Sequence, residues 1–444
     1  MSQEGIKILE DTIYAESTPK GYGGISIVRI SGDQTLKILK KIAGGADWPP
    51  HYQKFETIED SHNRLIDQVM ITFHPGPSSY TGEDLAEISS HGNPLIVAEI
   101  MDAVRETLLA RLAERGEFTK RAYIHGKIDL AQAEAVGALI ASTSLSGLEM
   151  AKNTLRGKLS ERLKDIGDKL NQLLTDIEAS FITDWEMSES SVLLRINSIA
   201  GDLDTYIGDA QIGTAMYNGI NTVIAGLPNA GKSSLFNTIL GYPRTIIHEQ
   251  AGTTRDVIKE HILINGLDFM LCDTAGIKEI STGPEQIGVE KTIEALKASD
   301  LTLYIVDATK GIVKDEHKWL HISPRTILVL NKMDLHTCDV PKIPDIDTVM
   351  VSAKYKTGID ELLNVMAKPF PSATPQVFIE RHIYLLKQAR QSIISSVHAI
   401  RNGMTLDAIT IDIREALAYI REILGEEINK DIMESIFSKF CIGK

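Results

Sequence analysis

The apolar positions of the first 120 residues change period several times. Alternating apolar and polar residues, typical of half-buried strands, occur in GGISIVRIS, LIDQVMITF and DLAEISSH. Helix-like spacing occurs between and after them, in TLKILKKIA and LIVAEIMDAVRETLLARLAE. Mixed patterns of this kind predict an α+β domain, which we assign to residues 1–120.

From about residue 129 the pattern becomes helical. Apolar side chains recur every three or four positions, which predicts one long stripe in the core of a helical bundle. The stripe comprises Leu155, Leu159, Leu163, Ile166, Leu170, Leu173, Ile177 and Phe181. The same spacing returns after the breaker-rich stretch KPFPSATPQ. The predicted helical domain therefore has two parts, residues 121–213 and 377–444.

Short continuous apolar runs mark the segment between those two parts. They are TVIAG, FMLCDTAG, LTLYIVDA, TILVLNK and TVMVSAK. Runs of this kind, separated by helices, are typical of strands buried on both faces of a parallel sheet. We predict an inserted Ras-like doubly wound domain at residues 214–376. The fold class is thus multidomain, with α+β, helical and α/β domains.

Composition and charge indicate how many domains the chain has, which partners it binds and where it is located. It has 444 residues, 43% of them apolar, which favours several globular domains. The formal net charge of −14 argues against a protein that coats nucleic acid, so an RNA partner needs a local basic patch. Lys152, Arg156, Lys158, Arg162 and Lys164 are either such a patch or a solvated face. With three cysteines, no signal peptide and no apolar run of spanning length, we expect a cytoplasmic protein without a membrane partner.

The first chemical motif is Gly226-Leu-Pro-Asn-Ala-Gly231-Lys232-Ser233, placed between a strand and a helix. In this P-loop signature the glycines let backbone N–H groups surround phosphates, and Lys232 reaches the β and γ phosphates. The Ser233 hydroxyl is the expected Mg²⁺ ligand.

Three further motifs follow in the order that a GTPase requires. Thr254 is expected to complete the Mg²⁺ shell, and Asp273-Thr-Ala-Gly276 to meet the metal and the γ-phosphate. Asp334 can accept both donors of the guanine edge, and Ala353 can donate its N–H to guanine O6. Adenine lacks that donor pair, and unpaired buried groups cost about 1–3 kcal/mol each, so we predict GTP rather than ATP.

The GTP-binding residues predicted from these motifs are Asn229, Ala230, Gly231, Lys232, Ser233, Ser234, Gly252, Thr253, Thr254, Asp273, Thr274, Ala275, Gly276, Asn331, Lys332, Asp334, Ser352, Ala353 and Lys354. Ile277 stands where many GTPases carry a water-orienting glutamine. The acidic candidates for that task are Glu279, Glu285 and Glu290. The sequence identifies no arginine finger, and a bound cation is the alternative source of positive charge.

Segments outside the GTPase motifs narrow the field. They are residues 80–87 (YTGEDLAE) with His91-Gly92, residues 116–134 (GEFTKRAYIHGKIDLAQAE), and Cys441-Ile-Gly-Lys444. In this order they closely resemble the MnmE (TrmE) family of tRNA modification GTPases, among the TrmE-Era-EngA-YihA-Septin-like GTPases. The resemblance spans the whole chain, and generic GTPases carry none of these segments.

The resemblance implies a homodimer of subunits with an N-terminal folate-binding domain, a helical domain and an inserted G domain. It also implies a flavoprotein partner, MnmG (GidA), in a heterotetramer that modifies the wobble uridine of certain tRNAs. The implied cofactors are GTP, Mg²⁺, K⁺ and a one-carbon tetrahydrofolate in the 5-formyl or methylene form, with FAD and NADH bound by the partner.

The resemblance also assigns residues. It implies K⁺ ligation by Asn229, His248, Gln250 and Thr253, and it adds His248, Glu249, Gln250 and Ala251 to the GTP-binding residues. It also implies a water-orienting role for Glu285. The implied folate-binding residues are Arg29, Glu87, Lys127 and Lys444. Cys441 is either a catalytic thiol or a small packed side chain.

Two other functions remain alternatives at this point. One is a ribosome-assembly GTPase that acts as an RNA-binding switch, and the other is a dimeric scaffold that binds GTP. Neither explains an N-terminal domain with a folate-binding pattern or the Cys-Ile-Gly-Lys end.

Overall fold

The computed structural model describes residues 11–44, 48–142, 144–182, 187–243, 246–247, 259–273, 293–312, 317–335, 343–370 and 379–444. The chain forms two compact units. The first unit comprises Met1–Gly137, Leu159–Met187 and Met404–Lys444, and the second comprises Ala138–Lys158 and Ser188–Gly403. No helix in the described ranges is long and apolar enough to span a membrane.

A six-stranded sheet organises the first unit. Its strands are β1 (Thr12–Glu16), β2 (Gly23–Ser31), β3 (Gln53–Glu59), β4 (Leu65–His74), β5 (Leu85–Gly92) and β6 (Ala110–Leu112). Their order is β3-β4-β5-β2-β1-β6, antiparallel except for the parallel pair β1 and β6. Alternation along β4 buries Val69, Ile71 and Phe73 on one face. The other face carries Arg29 of β2 directly opposite Glu87 of β5.

Helices α1 (Thr35–Ile42) and α2 (Pro94–Glu106) cover the apolar face of this sheet. Asn93 accepts a hydrogen bond from the N–H of Leu95 and thereby caps α2, which has proline at its first position. The sequence predicted one helix over residues 95–114. The second part of that prediction is wrong, because Ala110–Leu112 pairs with β1 as a parallel strand. Leu108 has φ of +58°, which ends the helical path.

The other helices of this unit are α3 (Glu117–Ile124), α6 (Lys158–Ser180), α11 (Leu406–Leu424) and α12 (Lys430–Phe437), and α4 (Leu130–Ala141) begins in it. Six residues of the predicted stripe are completely buried in α6. The prediction was wrong for the first and last residues of the stripe, which do not belong to α6. Leu155 belongs to α5 (Leu145–Leu155), which Gly157 with φ of +86° separates from α6, and Phe181 follows α6 with 54% of its surface exposed.

A seven-stranded sheet organises the second unit. Its strands are β7 (Ile220–Gly226), β8 (Ile246–Ile247), β9 (Lys259–Ile264), β10 (Leu267–Asp273), β11 (Leu301–Asp307), β12 (Thr326–Asn331) and β13 (Asp347–Met350). The order β13-β12-β11-β7-β10 is parallel, and β9 and β8 continue it antiparallel. Every residue of β11 is buried, as the continuous apolar run predicted.

Helices of the second unit include α7 (Glu189–Asn218), α8 (Lys232–Leu240), α9 (Ile359–Ala367) and α10 (Glu380–Arg401). Helices α7 and α10 pack along each other, and Arg390 pairs with Asp204 between them. Helix α8 directly follows β7, and the parallel strands β7, β11 and β12 end beside its N-terminus. The carboxyl ends of these strands therefore converge on one site.

Candidate functional sites

The loop between β7 and α8 has the backbone that a phosphate-binding loop requires. Gly226 has φ of +142°, and a Cβ there would lie 2.2 Å from the carbonyl oxygen of Ile305. Gly231 has φ of +95°, and a Cβ there would lie 2.2 Å from Nδ2 of Asn331. Both positions therefore require glycine. The first turn of α8 follows at once, and helix N-termini favour phosphate.

The polar side chains of this loop lie on its outer side. Lys232 Nζ donates to the carbonyl oxygens of Gly226 and Leu227, at 3.0 Å each. Ser233 and Ser234 are exposed in the first turn of α8, whereas Ala230 is buried. Asn229 is exposed with φ of +66°. The loop thus presents a cation, hydroxyls and an amide together.

Asn331 ties the phosphate loop to the loop after β13. Its Nδ2 donates to the carbonyl oxygen of Ala230 at 3.0 Å, and its Oδ1 accepts from the N–H of Ala353 at 3.1 Å. The side chain is only 2% exposed. A buried amide bonded at both ends holds the two loops at a fixed separation. Here the Ala353 N–H, the predicted donor to guanine O6, donates to this tether.

Lys332 makes a second tether through Asp307. Its Nζ donates to the carbonyl oxygen of Asn229 at 2.8 Å and to Oδ2 of Asp307 at 2.6 Å. Burial acts to raise the pKa of Asp307, but hydrogen bonds from Lys332 and Thr309 outweigh it and lower the pKa to about 2. Asp307 therefore remains ionised at neutral pH and keeps Lys332 in place.

The predicted guanine-binding residues Asp334 and Ser352 are hydrogen-bonded to each other, in the loops that follow β12 and β13. Ser352 Oγ donates to Oδ1 of Asp334 at 2.6 Å, and Asp334 is exposed. The ammonium of Lys354 lies 5.0 Å from the centre of the Tyr355 ring. A fixed, exposed carboxylate is the group that can accept two hydrogen bonds from a base edge.

Arg29 and Glu87 form the centre of a separate site on the polar face of the six-stranded sheet. Arg29 Nε and Nη2 donate to Oε1 of Glu87 at 3.0 and 2.6 Å. The guanidinium carbon lies 5.8 Å from the centre of the Tyr80 ring and 5.6 Å from that of Phe118. Glu87 keeps 29% of its side chain exposed, and no donor among the described residues bonds its Oε2.

The end of the chain lies on this site. The carbonyl oxygen of Gly443 accepts from Arg29 Nη1 at 3.4 Å and from Ser17 Oγ at 3.0 Å. Gly443 has φ of +89°, and a Cβ there would lie 2.1 Å from the carbonyl oxygen of Glu16. Burial lowers the pKa of Lys444, and Arg29 lowers it further, while Glu87 acts to raise it. The structure thus brings Arg29, Glu87 and Lys444 together.

The remaining two predicted residues of this region are close by in the fold. Lys127 Nζ is exposed and donates to the carbonyl oxygen of Pro77 at 2.9 Å, in the loop that carries Tyr80. Cys441 is exposed, and its carbonyl oxygen accepts from the N–H of Gly116 at 3.3 Å. The exposed thiol does not match the alternative of a packed core side chain.

Comparison with known proteins covers nearly the whole chain. The model of the MnmE helical domain matches residues 130–441, and that of the GTP-binding protein TrmE N-terminus matches residues 12–127. The tRNA modification GTPase MnmE of Acetivibrio thermocellus is 38% identical, over 98% of this chain and 99% of the relative. The protein of the same name from Protochlamydia amoebophila is 36% identical, over 98% of each.

The chain belongs to the MnmE family of tRNA modification GTPases. This confirms the predicted family, the multidomain fold class and the prediction of a GTP-binding GTPase. A solved structure, the FeoB G domain of Methanococcus jannaschii, is 26% identical over 34% of this chain and 98% of that chain, with a TM-score of 0.26.

Part of the predicted nucleotide site lies outside the described residues. These positions are His248, Glu249, Gln250, Ala251, Gly252, Thr253, Thr254, Thr274, Ala275, Gly276, Glu279, Glu285 and Glu290. Asp273 is the last residue of β10. The roles of Asp273 and of the positions outside the described residues in the nucleotide site stay predictions.

Sequence reasoning missed several residues that the structure brings into these two sites. Asp307 ends the apolar run of β11, so its position at a carboxyl strand end was a usable signal. Tyr80 and Phe118 both lie in segments that carried the family resemblance, but no local pattern indicated that their rings flank Arg29.

Proposed function

We propose that this MnmE-family protein couples GTP hydrolysis to the modification of carbon 5 of the wobble uridine in certain tRNAs. The added group is a carboxymethylaminomethyl or aminomethyl group, and its carbon comes from a one-carbon tetrahydrofolate. The observation that carries the proposal is the contact of Gly443 with Arg29, beside Glu87, in a chain that also holds a GTPase site. Relatives of nearly equal length are named tRNA modification GTPases.

The polar face of the six-stranded sheet has donors and acceptors that fit a reduced folate. The partly exposed carboxylate of Glu87 can accept parallel hydrogen bonds from an aminopyrimidinone edge. Arg29, Lys127 and Lys444 supply cations for a glutamyl tail. Folate would supply the one-carbon unit when bound, while these residues hold and orient it.

The phosphate loop fits both proposed cations. The Ser233 hydroxyl is exposed in the first turn of α8, where a Mg²⁺ bound to phosphates is reached, and Thr254 is the second proposed ligand. Asn229 is exposed on the same loop and would ligate K⁺ together with His248, Gln250 and Thr253. K⁺ would supply positive charge next to the phosphates in place of an arginine finger.

The proposed assembly is a cytoplasmic homodimer that binds the flavoprotein MnmG in a heterotetramer, with FAD and NADH held by the partner. Folate delivers carbon, and flavin and nicotinamide deliver electrons. Glu285 is proposed to orient the attacking water, and Cys441 to take part in the modification chemistry because its thiol is exposed near Lys444.

Mass spectrometry of tRNA tests the proposal. A strain that lacks the protein should lose the wobble-uridine modification, and the wild-type gene should restore it. A gene without codons 441–444 should not restore it, although the shortened protein should still hydrolyse GTP. Glu87→Ala should also fail to restore the modification, whereas the matched control Glu59→Ala, which removes an exposed carboxylate of the same sheet, should restore it. Normal tRNA with defective ribosomes in the deletion strain would favour the ribosome-assembly alternative.

A further inference from the structure

Two histidines face each other on the sheet that carries Arg29 and Glu87. The Nδ1 atoms of His51 and His74 are 2.9 Å apart, and the ring centroids are 5.1 Å apart with a tilt of 55°. The N–H of His51 donates to the carbonyl oxygen of Phe73 at 2.8 Å, and its φ of +59° is unusual for a residue with a Cβ. The backbone therefore holds the His51 ring against His74 in a conformation that carries strain.

The contact between the two rings fixes how many protons they hold. A separation of 2.9 Å between two imidazole nitrogens requires one hydrogen between them, so one ring donates and the other accepts. Two neutral rings in opposite tautomers satisfy this, and so does one imidazolium beside one neutral ring. Two imidazolium rings would place two hydrogens face to face. The pair therefore takes up a single proton while the contact persists.

The register of the sheet places this pair beside Glu87. Thr72 lies directly opposite Glu87, and Arg29 lies opposite Glu87 on the other side. His74 is two residues from Thr72, so it shares that face and is a diagonal neighbour of Glu87, with the two Cβ atoms somewhat less than about 7–8 Å apart. Thr72, His74 and Glu87 are half-buried, so the face between them is open to a ligand.

The groups that influence the pKa of His74 lie on β2, on β5 and in the loop that carries His51. Burial is the main cause that lowers the pKa of His74, and Arg29 from β2 and His51 act in the same direction. Glu87 from β5 acts to raise that pKa. The histidine therefore responds to the same two residues that form the centre of the proposed folate site.

We propose that His51 and His74 form an acid–base pair within the site of Arg29 and Glu87, holding one exchangeable proton that His74 gives to a basic nitrogen of a bound reduced folate. The inference rests on the proposed function, from which it takes the ligand. In this step Nε2 of His74 loses a proton to the lone pair of the ligand nitrogen, and the imidazole pair returns to neutrality. The bare Nε2 of His74, which is half-buried, then regains a proton from solvent once the ligand has left.

The first test needs no folate. Nuclear magnetic resonance of the full chain labelled with ¹⁵N-histidine would follow each imidazole between about pH 5 and 8, with signals assigned by His51→Asn and His74→Gln. We expect His51 and His74 together to gain one proton, with matching changes on both rings. Two independent protons would overturn the pair. His62, exposed in the same sheet region, is the internal reference for a single imidazole.

The second test measures protons exchanged when tetrahydrofolate binds, because its N5 is an amine with a free lone pair. Calorimetry in buffers of different ionisation enthalpy gives that number for the full-length protein. We expect proton exchange in the wild type and in His62→Gln, and its loss in His74→Gln with affinity changed by less than about tenfold. Exchange unchanged in His74→Gln would overturn the inference while leaving the folate site intact. Absence of binding by the wild type would instead refute the proposed folate function, and the inference with it.

Discussion

Asn331→Ala tests whether one buried amide holds the nucleotide site together. The substitution removes both hydrogen bonds of the side chain, to the carbonyl oxygen of Ala230 and from the N–H of Ala353. These backbone groups belong to residues that are only 3% and 7% exposed, so water reaches them poorly. An unsatisfied buried group costs about 1–3 kcal/mol, so the two together cost about 2–6 kcal/mol of local stability.

The expected results are a faster hydrogen exchange of the phosphate loop and of the loop after β13, and a weaker affinity for GTP. If about a quarter to a half of the lost energy is needed to reorder the two loops on binding, the cost is about 0.5–3 kcal/mol, so GTP affinity falls about 2- to 150-fold. Hydrogen–deuterium exchange with mass spectrometry and titration of a fluorescent GTP analogue measure the two effects.

The matched control is Asn237→Ala, which removes the same side chain from an exposed position of α8. We expect that control to change stability by no more than about 0.5 kcal/mol. The reasoning is wrong if Asn331→Ala and Asn237→Ala give the same exchange rates and the same GTP affinity. It would then follow that the phosphate loop keeps its shape without the tether.

Three further predictions concern the GTPase reaction. Asp334→Asn should shift preference from GTP toward xanthosine triphosphate, because an amide donates where the carboxylate accepts; equal hydrolysis of GTP and ATP by the wild type would contradict the assignment. K⁺ should accelerate hydrolysis beyond Na⁺, by several kcal/mol of transition-state stabilisation at most, and identical turnover in both salts would remove K⁺ from the site. Glu285→Ala should bind GTP normally but hydrolyse it slowly in single-turnover assays; the same defect in Glu279→Ala or Glu290→Ala instead would show that another acid orients the water.

The phosphate loop could be predicted because local sequence determines its backbone. The elements that were predicted wrongly depend on pairing between strands that are distant in sequence. The glycines of the phosphate loop require specific backbone angles, and these are encoded within eight residues. By contrast, the helical spacing of apolar residues continues past Glu106, but Ala110–Leu112 forms a strand because it pairs with β1. Since β1 is nearly a hundred residues earlier in the chain, the local pattern could not indicate this pairing. Strand propensity is weaker than such tertiary context.

The two sites differ in the same way. Asp334 and Asn331 were predictable because each follows a buried strand whose end defines the site. The contact between Arg29 and the chain end followed only from the family resemblance, since no periodicity links β2 to residue 443. The His51 and His74 pair had no sequence signal, because it depends on the pairing of a loop residue with the end of β4.

The contact of Gly443 with Arg29 has a consequence for the order of synthesis. The two residues are 414 positions apart, so at about 5–20 residues per second the ribosome releases the second about 20–80 s after the first. The sheet of the first unit can form during that delay, but the site on its polar face lacks the Gly443 contact until residue 443 has been synthesised. A messenger cut between the codons for Lys354 and Cys441 therefore yields a protein that has every GTPase motif but an unfinished site on the sheet of the first unit.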